Sequence, residues 1–318
     1  MNMVLSHISA LEFWRSPLSD AGPARARCRA CTLPENAPAS RVADIDPPIG
    51  DGILSKPIHV LALDGRQGGS PELVVHQMRR LPAGSLRAIS LRSDGSLFVT
   101  SPELTFVHMA SVLSFPRAAH LAYEFCGVYA PDEHRPYGVR SRTPLTTPEK
   151  LESYLAKAGC IGGSRIARAA LRHVLIGSAS PRESTLALLM TLPYLRGGSS
   201  IEQPRMNAVV PLGRQSSWTS DRSCFRCDLL WPDQKVAVEY DSTLCHTGAT
   251  RIAEDAARRN ALESLGLTVV TATWRQVSDY SEYNRFARIL AGHLGGRIRP
   301  TCKDYPSKQF ALRSELLR

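Results

Sequence analysis

Residues 227–242 read CDLLWPDQKVAVEYDS, two apolar runs separated by a polar, proline-containing connection and followed by Glu239 and Asp241. With Trp231-Pro232-Asp233-Gln234 as an even-numbered turn, Leu230 faces Lys235 and Asp228 faces Ala237 across a β-hairpin. Alternation then puts Asp228, Glu239 and Asp241 on one sheet face and Val236, Val238 and Tyr240 on the other. Asp228 and Glu239 become diagonal neighbours about 7 Å apart at their Cα atoms, close enough for the carboxylates to share a divalent ion. Like charges gathered on a sheet repel unless a cation or protons compensate, and that cost argues for a metal site. The competing reading leaves Glu239 and Asp241 facing water on a half-exposed strand.

Outward from the hairpin, the spacing predicts a helix over 181–193, an extended segment over 203–212, strands over 223–231 and 235–241, a helix over 250–265, a strand over 267–272 and a helix over 275–294. Gly266 is a natural stop for the 250–265 helix, and KVAVEY and LTVVTAT are rich in β-branched residues. The half is a compact α/β unit with helices at its flanks. Cys224 and Cys227 lie three apart on a strand and point to opposite faces, so a zinc knuckle there is not expected. Cys28 and Cys31, almost 200 residues away from them, read as loop thiols.

Between 180 and 294 the chain resembles the PD-(D/E)XK nuclease superfamily, in the branch related to very-short-patch-repair endonucleases. The resemblance is carried by SPRES with Glu183, the Asp228-Leu-Leu-Trp-Pro strand end, Val-Glu239-Tyr-Asp241, Cys245-His246, the helix from Glu254-Asp255 through Arg258-Arg259 to Leu262, Gly266 before VVTAT, and Trp274-Arg275-Gln276-Val277. It implies a restriction-endonuclease-like αβββαβ core that hydrolyses DNA phosphodiesters with Mg²⁺ or Mn²⁺. Asp228 and Glu239 would hold the metal, with support from Glu183. Magnesium suits hard oxygen ligands and can activate water beside a scissile phosphate. Glu183 has a second reading, as residue N3 of a capping box opened by Ser180. At Asp241 the superfamily pattern usually carries Lys, and an acid cannot supply that positive charge to the transition state. His246 is the nearest candidate acid or base, or else an exposed loop histidine. Arg258, Arg259 and Gln276 are candidate phosphate contacts; Arg258 or Arg259 can instead pair with Glu254 or Asp255 on the same helix. The alternative to cleavage is a non-catalytic DNA-binding regulator or antitoxin-like protein that keeps the fold.

In the N-terminal half, residues 57–175 more faintly resemble the later part of abortive-infection-type antitoxins and related regulators, through PIHVLAL, VTSPELTFVHMA and the basic helices downstream. The usual winged helix is not evident in residues 1–40. Ser70, Ser101, Thr147 and Ser180 each precede a proline and an early acid, so helices are expected to begin at all four. IHVLAL at 58–63 reads as a strand, LRAISL and LFVT as a hairpin around Ser93-Asp94-Gly95-Ser96, and LESYLAKA and SRIARAALRHVLI as helices. Arg165, Arg168 and Arg172 make one basic stripe, or the wet face of an amphipathic helix.

The expected division is a mixed α/β N-terminal domain over 1–178, the nuclease-like domain over 179–296 and a basic tail over 297–318. The length of 318 residues allows about two domains. Lys and Arg total 39 against 29 Asp and Glu, a net charge of +10 that favours a polyanionic partner, DNA first. From Arg285 to Arg318 there are eight basic residues against two acids, a phosphate-contacting surface or simply a solvated end. No apolar run approaches the length of a membrane span, and MNMVLSHISALEFW has no basic-then-apolar leader pattern, so a cytoplasmic protein without membrane contact is expected. Its oligomeric state is open, a dimer being one option.

Overall fold

The computed structural model describes residues 3–20, 52–62, 70–89, 97–135, 137–211, 224–241 and 249–317; for 249–255 it describes the backbone. The chain forms two compact units, Met1–Val174 and Leu175–Arg318, both mixed α/β.

In the first unit, strands β1 (Met3–Leu5), β2 (Ile58–Ala62), β3 (Leu73–Gln77), β4 (Leu86–Ile89) and β5 (Leu97–Thr100) make a sheet in the order β3-β2-β1-β5-β4. Period-two alternation sorts its side chains. Leu5, Val60 and Val99 join Phe13 and Trp14 of helix α1 (His7–Arg15) in one core, while Val4, Leu61 and Phe98 pack on the opposite face. Each fully buried side chain of this size contributes about 1.5–3 kcal/mol. Trp14 donates its indole N–H to the Thr100 carbonyl at 2.9 Å. Helices α2 (Pro102–Ala110), α3 (Phe115–Cys126), α4 (Pro148–Ala158) and α5 (Ser164–Leu171) complete the unit with the small hairpin β6 (Tyr129–Pro131) and β7 (Val139–Ser141).

Helices begin after Ser101, Thr147 and Ser180 as expected, each hydroxyl accepting a backbone N–H. Ser70 differs. Residues 70–72 form a turn into β3, which pairs in parallel with β2, because the β-branched run that follows outweighs the cap signal. β4 and β5 pair antiparallel as anticipated, while their Ser93–Ser96 turn lies outside the described residues. The helix expected through residue 176 is shorter, ending at Leu171.

The second unit runs α6 (Pro181–Thr191), β8 (Arg205–Pro211), β9 (Cys224–Trp231), β10 (Val236–Asp241), α7 (Ala249–Ser264), β11 (Thr268–Thr273), α8 (Trp274–Ser278), α9 (Tyr280–His293) and α10 (Tyr305–Leu316). The sheet order is β11-β10-β9-β8, with β10 and β11 parallel and the other pairs antiparallel. Two expectations are corrected. The helix expected over 275–294 is two helices, because Thr273 and Gln276 form a capping box for α8 and Asp279 caps α9 afresh. Residues 297–318, expected as a basic tail, contain α10, whose Gln309 and Leu312 are buried and whose Arg313 donates to the Val277 and Ser278 carbonyls. Arg313 also lies 4.8 Å from the centre of the Tyr283 ring. Among the described residues no helix is long and apolar enough to cross a membrane.

Candidate functional site

The hairpin register sets the site. Trp231 pairs with Val236, Ala237 with Leu230 and Val238 with Leu229. The connection is therefore Pro232–Lys235, one residue later than expected, with Lys235 at φ 53° and its N–H bonded to the Pro232 carbonyl. One further step of this register sets Asp228 against Glu239, rather than against Ala237. There the backbone ladder gives way to a side chain: Asp228 Oδ2 accepts the Tyr240 N–H at 2.7 Å.

On the other side of β9 the ladder to β8 skips Asn207 and Asp228. Asn207 has φ 48°, a left-handed conformation that asparagine tolerates better than most residues. Across the gap, Cys227 and Leu230 belong to the same buried cluster although they are three apart. Strict alternation from one end of β9 to the other is thus interrupted at Asp228, which corrects the simple face count.

Three carboxylates are electrostatically coupled at this point. Burial, then the charge of Asp228 beside it, pushes the Glu239 carboxyl up to about 7 against the opposing pull of Arg258. Asp228 is raised by burial, opposed by the Tyr240 N–H and by Arg258 and Arg226. Glu183 is raised by burial, with Asp228 adding to the rise. The Cys227 thiol is pushed up to about 12 by burial and by Glu239, so it is a protonated weak donor rather than a thiolate.

Each carboxylate already has protein partners. Glu239 Oε2 accepts from Arg258 Nη2 at 2.6 Å, in an ion pair whose side chains are 34% exposed for Arg258 and 19% for Glu239. The same Arg258 nitrogen bonds the Arg226 carbonyl, and its guanidinium lies 5.9 Å from the centre of the Phe225 ring. Glu183 is the N3 residue of the Ser180 cap. Its Oε1 accepts from the Ser180 hydroxyl at 2.9 Å, and its Oε2 from the Ala179 N–H at 2.9 Å and Asn207 Nδ2 at 2.6 Å.

The other sequence candidates sit around this centre in different ways. Asp241 ends β10, half-buried, in register with Thr273 of β11. His246 lies outside the described residues. Arg259 donates to Thr271 Oγ1 at 2.9 Å, and Gln276 Oε1 accepts from the Thr273 N–H and hydroxyl. Arg258 faces inward, to Glu239. Sequence reading missed Asn207 and Arg226 as neighbours of the acids; a contact set by one left-handed asparagine has no periodic signature.

Asp228 and Glu239 supply hard oxygen donors of the kind that magnesium prefers. Among the described residues no group of three His, Cys, Asp or Glu is placed to hold a metal ion. The positive charge beside Glu239 is the Arg258 guanidinium, and a metal there would have to displace it.

No family model matches the chain, and no solved structure matches it. A stretch of 70 residues is 36% identical to uncharacterized proteins of Mycobacterium tuberculosis, strains CDC 1551 and H37Rv. It makes up 22% of this chain and 25% of each relative, so the match spans a quarter of those proteins' length.

Proposed function

We propose that the second unit is a nuclease-like module that binds DNA without cutting it, within a regulator or antitoxin-like protein. The observation that carries this reading is the Arg258–Glu239 ion pair, which sets a cation of the protein itself against the acidic centre. The binding surface is then sought on basic residues left outward. On α9, Arg285 and Arg288 are exposed and line, with Tyr280 and Asn284, a surface cavity of about 370 Å³. Among the described residues Arg285, itself exposed, pairs with half-exposed Glu282, a contact worth little in water and readily exchanged for phosphate. Together with the net charge of +10, this favours a backbone-reading contact with duplex DNA.

A second reading, metal-dependent hydrolysis by a PD-(D/E)XK-type site with Mg²⁺ or Mn²⁺, is favoured by one fact. Glu239 is held near 7 partly by repulsion from Asp228, which a divalent ion bound to both would relieve. Asp228 and Glu239 would be its ligands, with Glu183, Asp241 and His246 auxiliary.

One experiment separates the two. Duplex DNA is titrated by fluorescence anisotropy across a salt series, in EDTA and in Mg²⁺ or Mn²⁺, and the same mixtures are checked for cleavage. The binding reading expects equal affinity with and without metal, intact DNA, and a salt slope reduced by about 2 in Arg285→Ala/Arg288→Ala. Cleavage that needs metal and is lost in Asp228→Ala and Glu239→Ala would overturn it in favour of the hydrolase. Affinity and slope unchanged in the double arginine variant would remove α9 as the contact.

A further inference from the structure

Four of the chain's nine histidines meet in the first unit. His7 opens α1, His59 lies on β2, His76 on β3 and His108 on α2. The rings form a column: His7 stacks on His108 with centroids 4.3 Å apart and on His76 at 3.5 Å, and His76 stacks on His59 at 5.0 Å. His59 Nδ1 and His76 Nε2 are 2.8 Å apart, so one of the two must donate a proton to the other. His108 is 7% exposed, and its Nδ1 is buried without a hydrogen-bond partner. The rings lie face to face rather than aiming their nitrogens at one point, which is the geometry of stacked neutral imidazoles and not of a metal site.

We propose that this column is an acid-sensitive lock on the first unit: neutral, it ties α1, β2, β3 and α2 together, and proton uptake releases them. An imidazolium placed in the stack faces another ring that would also charge, and among the described residues no carboxylate is hydrogen-bonded to the four rings to compensate. Among the described residues, the charged group acting on the column is Glu12 of α1, which favours charge on His59 and is itself bonded to the Ser55 N–H and hydroxyl. The acids of the helices that pack here are engaged elsewhere. Glu103 of α2 bonds Thr146 and pairs with Arg87, and Glu124 of α3 is held by Arg15.

Burial first, and the neighbouring rings second, hold His7 down to about 2 and both His76 and His108 down to about 4. His59 is lowered by burial against the pull of Glu12. These are folded-state values below the ordinary histidine value of 6.5. The folded unit therefore stays neutral while the opened chain takes up protons, and stability is lost as pH falls below 6.5. With three histidines acting together, the opening equilibrium should rise on the order of a hundred-fold between pH 6.5 and 5.5.

The test uses the full chain. Amide hydrogen exchange, corrected for its intrinsic pH dependence and read by mass spectrometry, should show α1, β2, β3 and α2 losing protection about a hundred-fold across that interval. His76→Gln, at a half-exposed position, should lower the steepness by about one proton. Should a variant fold poorly, histidine ring NMR of the wild type decides alone: the rings of His7, His76 and His108 should remain neutral at pH 6 while the unit is folded. Rings that titrate near 6.5 in the folded protein, or protection that does not change with pH, would overturn the proposal.

Discussion

The Arg258–Glu239 pair is the residue on which the reading of the acidic centre turns. Removing the arginine leaves Glu239 half-buried beside Asp228 without its cation, so that it must stay charged against Asp228 or take up a proton, and the loss exceeds that of an ordinary surface pair. Arg258→Gln should destabilise the second unit by about 1–3 kcal/mol at pH 7, the pair's partial exposure keeping the loss below that of a fully buried one. Adding Glu239→Gln should recover much of it, so a double-mutant cycle in urea should give a coupling of about 1 kcal/mol or more. The same substitution removes the charge that opposes burial, so the Glu239 carboxyl, already near 7, should titrate higher in the variant; carboxyl NMR reads this directly. A midpoint that stays put would mean the guanidinium does not act on Glu239 in solution. These acids were legible as a group, because Glu and Asp at period two after an apolar run stand out on any strand. The inward turn of Arg258 was not, since a helical arginine can serve phosphate, a same-helix acid or a strand carboxylate with one sequence pattern.

Elements were legible where a local signal and the tertiary demand agreed. Ser101, Thr147 and Ser180 cap helices whose following residues also favour helix, whereas Ser70 precedes a β-branched run that the sheet claims. The break at Asp279 was written in the chain, but a continuous amphipathic count over 275–294 hides a second cap. The hairpin turn was misplaced by one residue because Lys235 takes a left-handed conformation that its residue type does not advertise. A different left-handed position fixes how α5 meets α2. Gly163 has φ +85°, and a Cβ there would lie 2.1 Å from the Val107 carbonyl oxygen and 2.7 Å from the Ser111 nitrogen. Both obstacles are backbone and cannot swing away. Gly163→Ala should therefore cost more than about 2 kcal/mol of first-unit stability, measured by urea unfolding. Gly159→Ala, also at a positive φ but with nothing within 4 Å of its Cβ, should cost less than Gly163→Ala.

At the scale of the whole molecule, the two units carry titratable groups shifted in opposite senses by the same cause. Burial disfavours charge, so His7, His59, His76 and His108 of the first unit are lowered while Glu239, Asp228 and Glu183 of the second are raised. For a raised carboxyl the folded form keeps its proton at a pH where the unfolded form has lost it, and stability grows as pH falls through the folded value. Between pH 7 and 5.5 Glu239 alone should add about 1–2 kcal/mol to the second unit. Over 6.5 to 5.5 the histidine column should remove about 2–3 kcal/mol from the first. Mild acid should thus destabilise Met1–Val174 and stabilise Leu175–Arg318 within one chain. Pulse proteolysis in urea, with fragments assigned by mass spectrometry to each unit, should show the two midpoints moving apart in opposite directions between pH 7 and 5.5. In Glu239→Gln the second unit's midpoint should lose most of its movement while the first unit's shift is unchanged. Midpoints that fall together in both proteins would mean that the buried carboxyls are not protonated in the fold and that the acidic centre is held ionised by its partners.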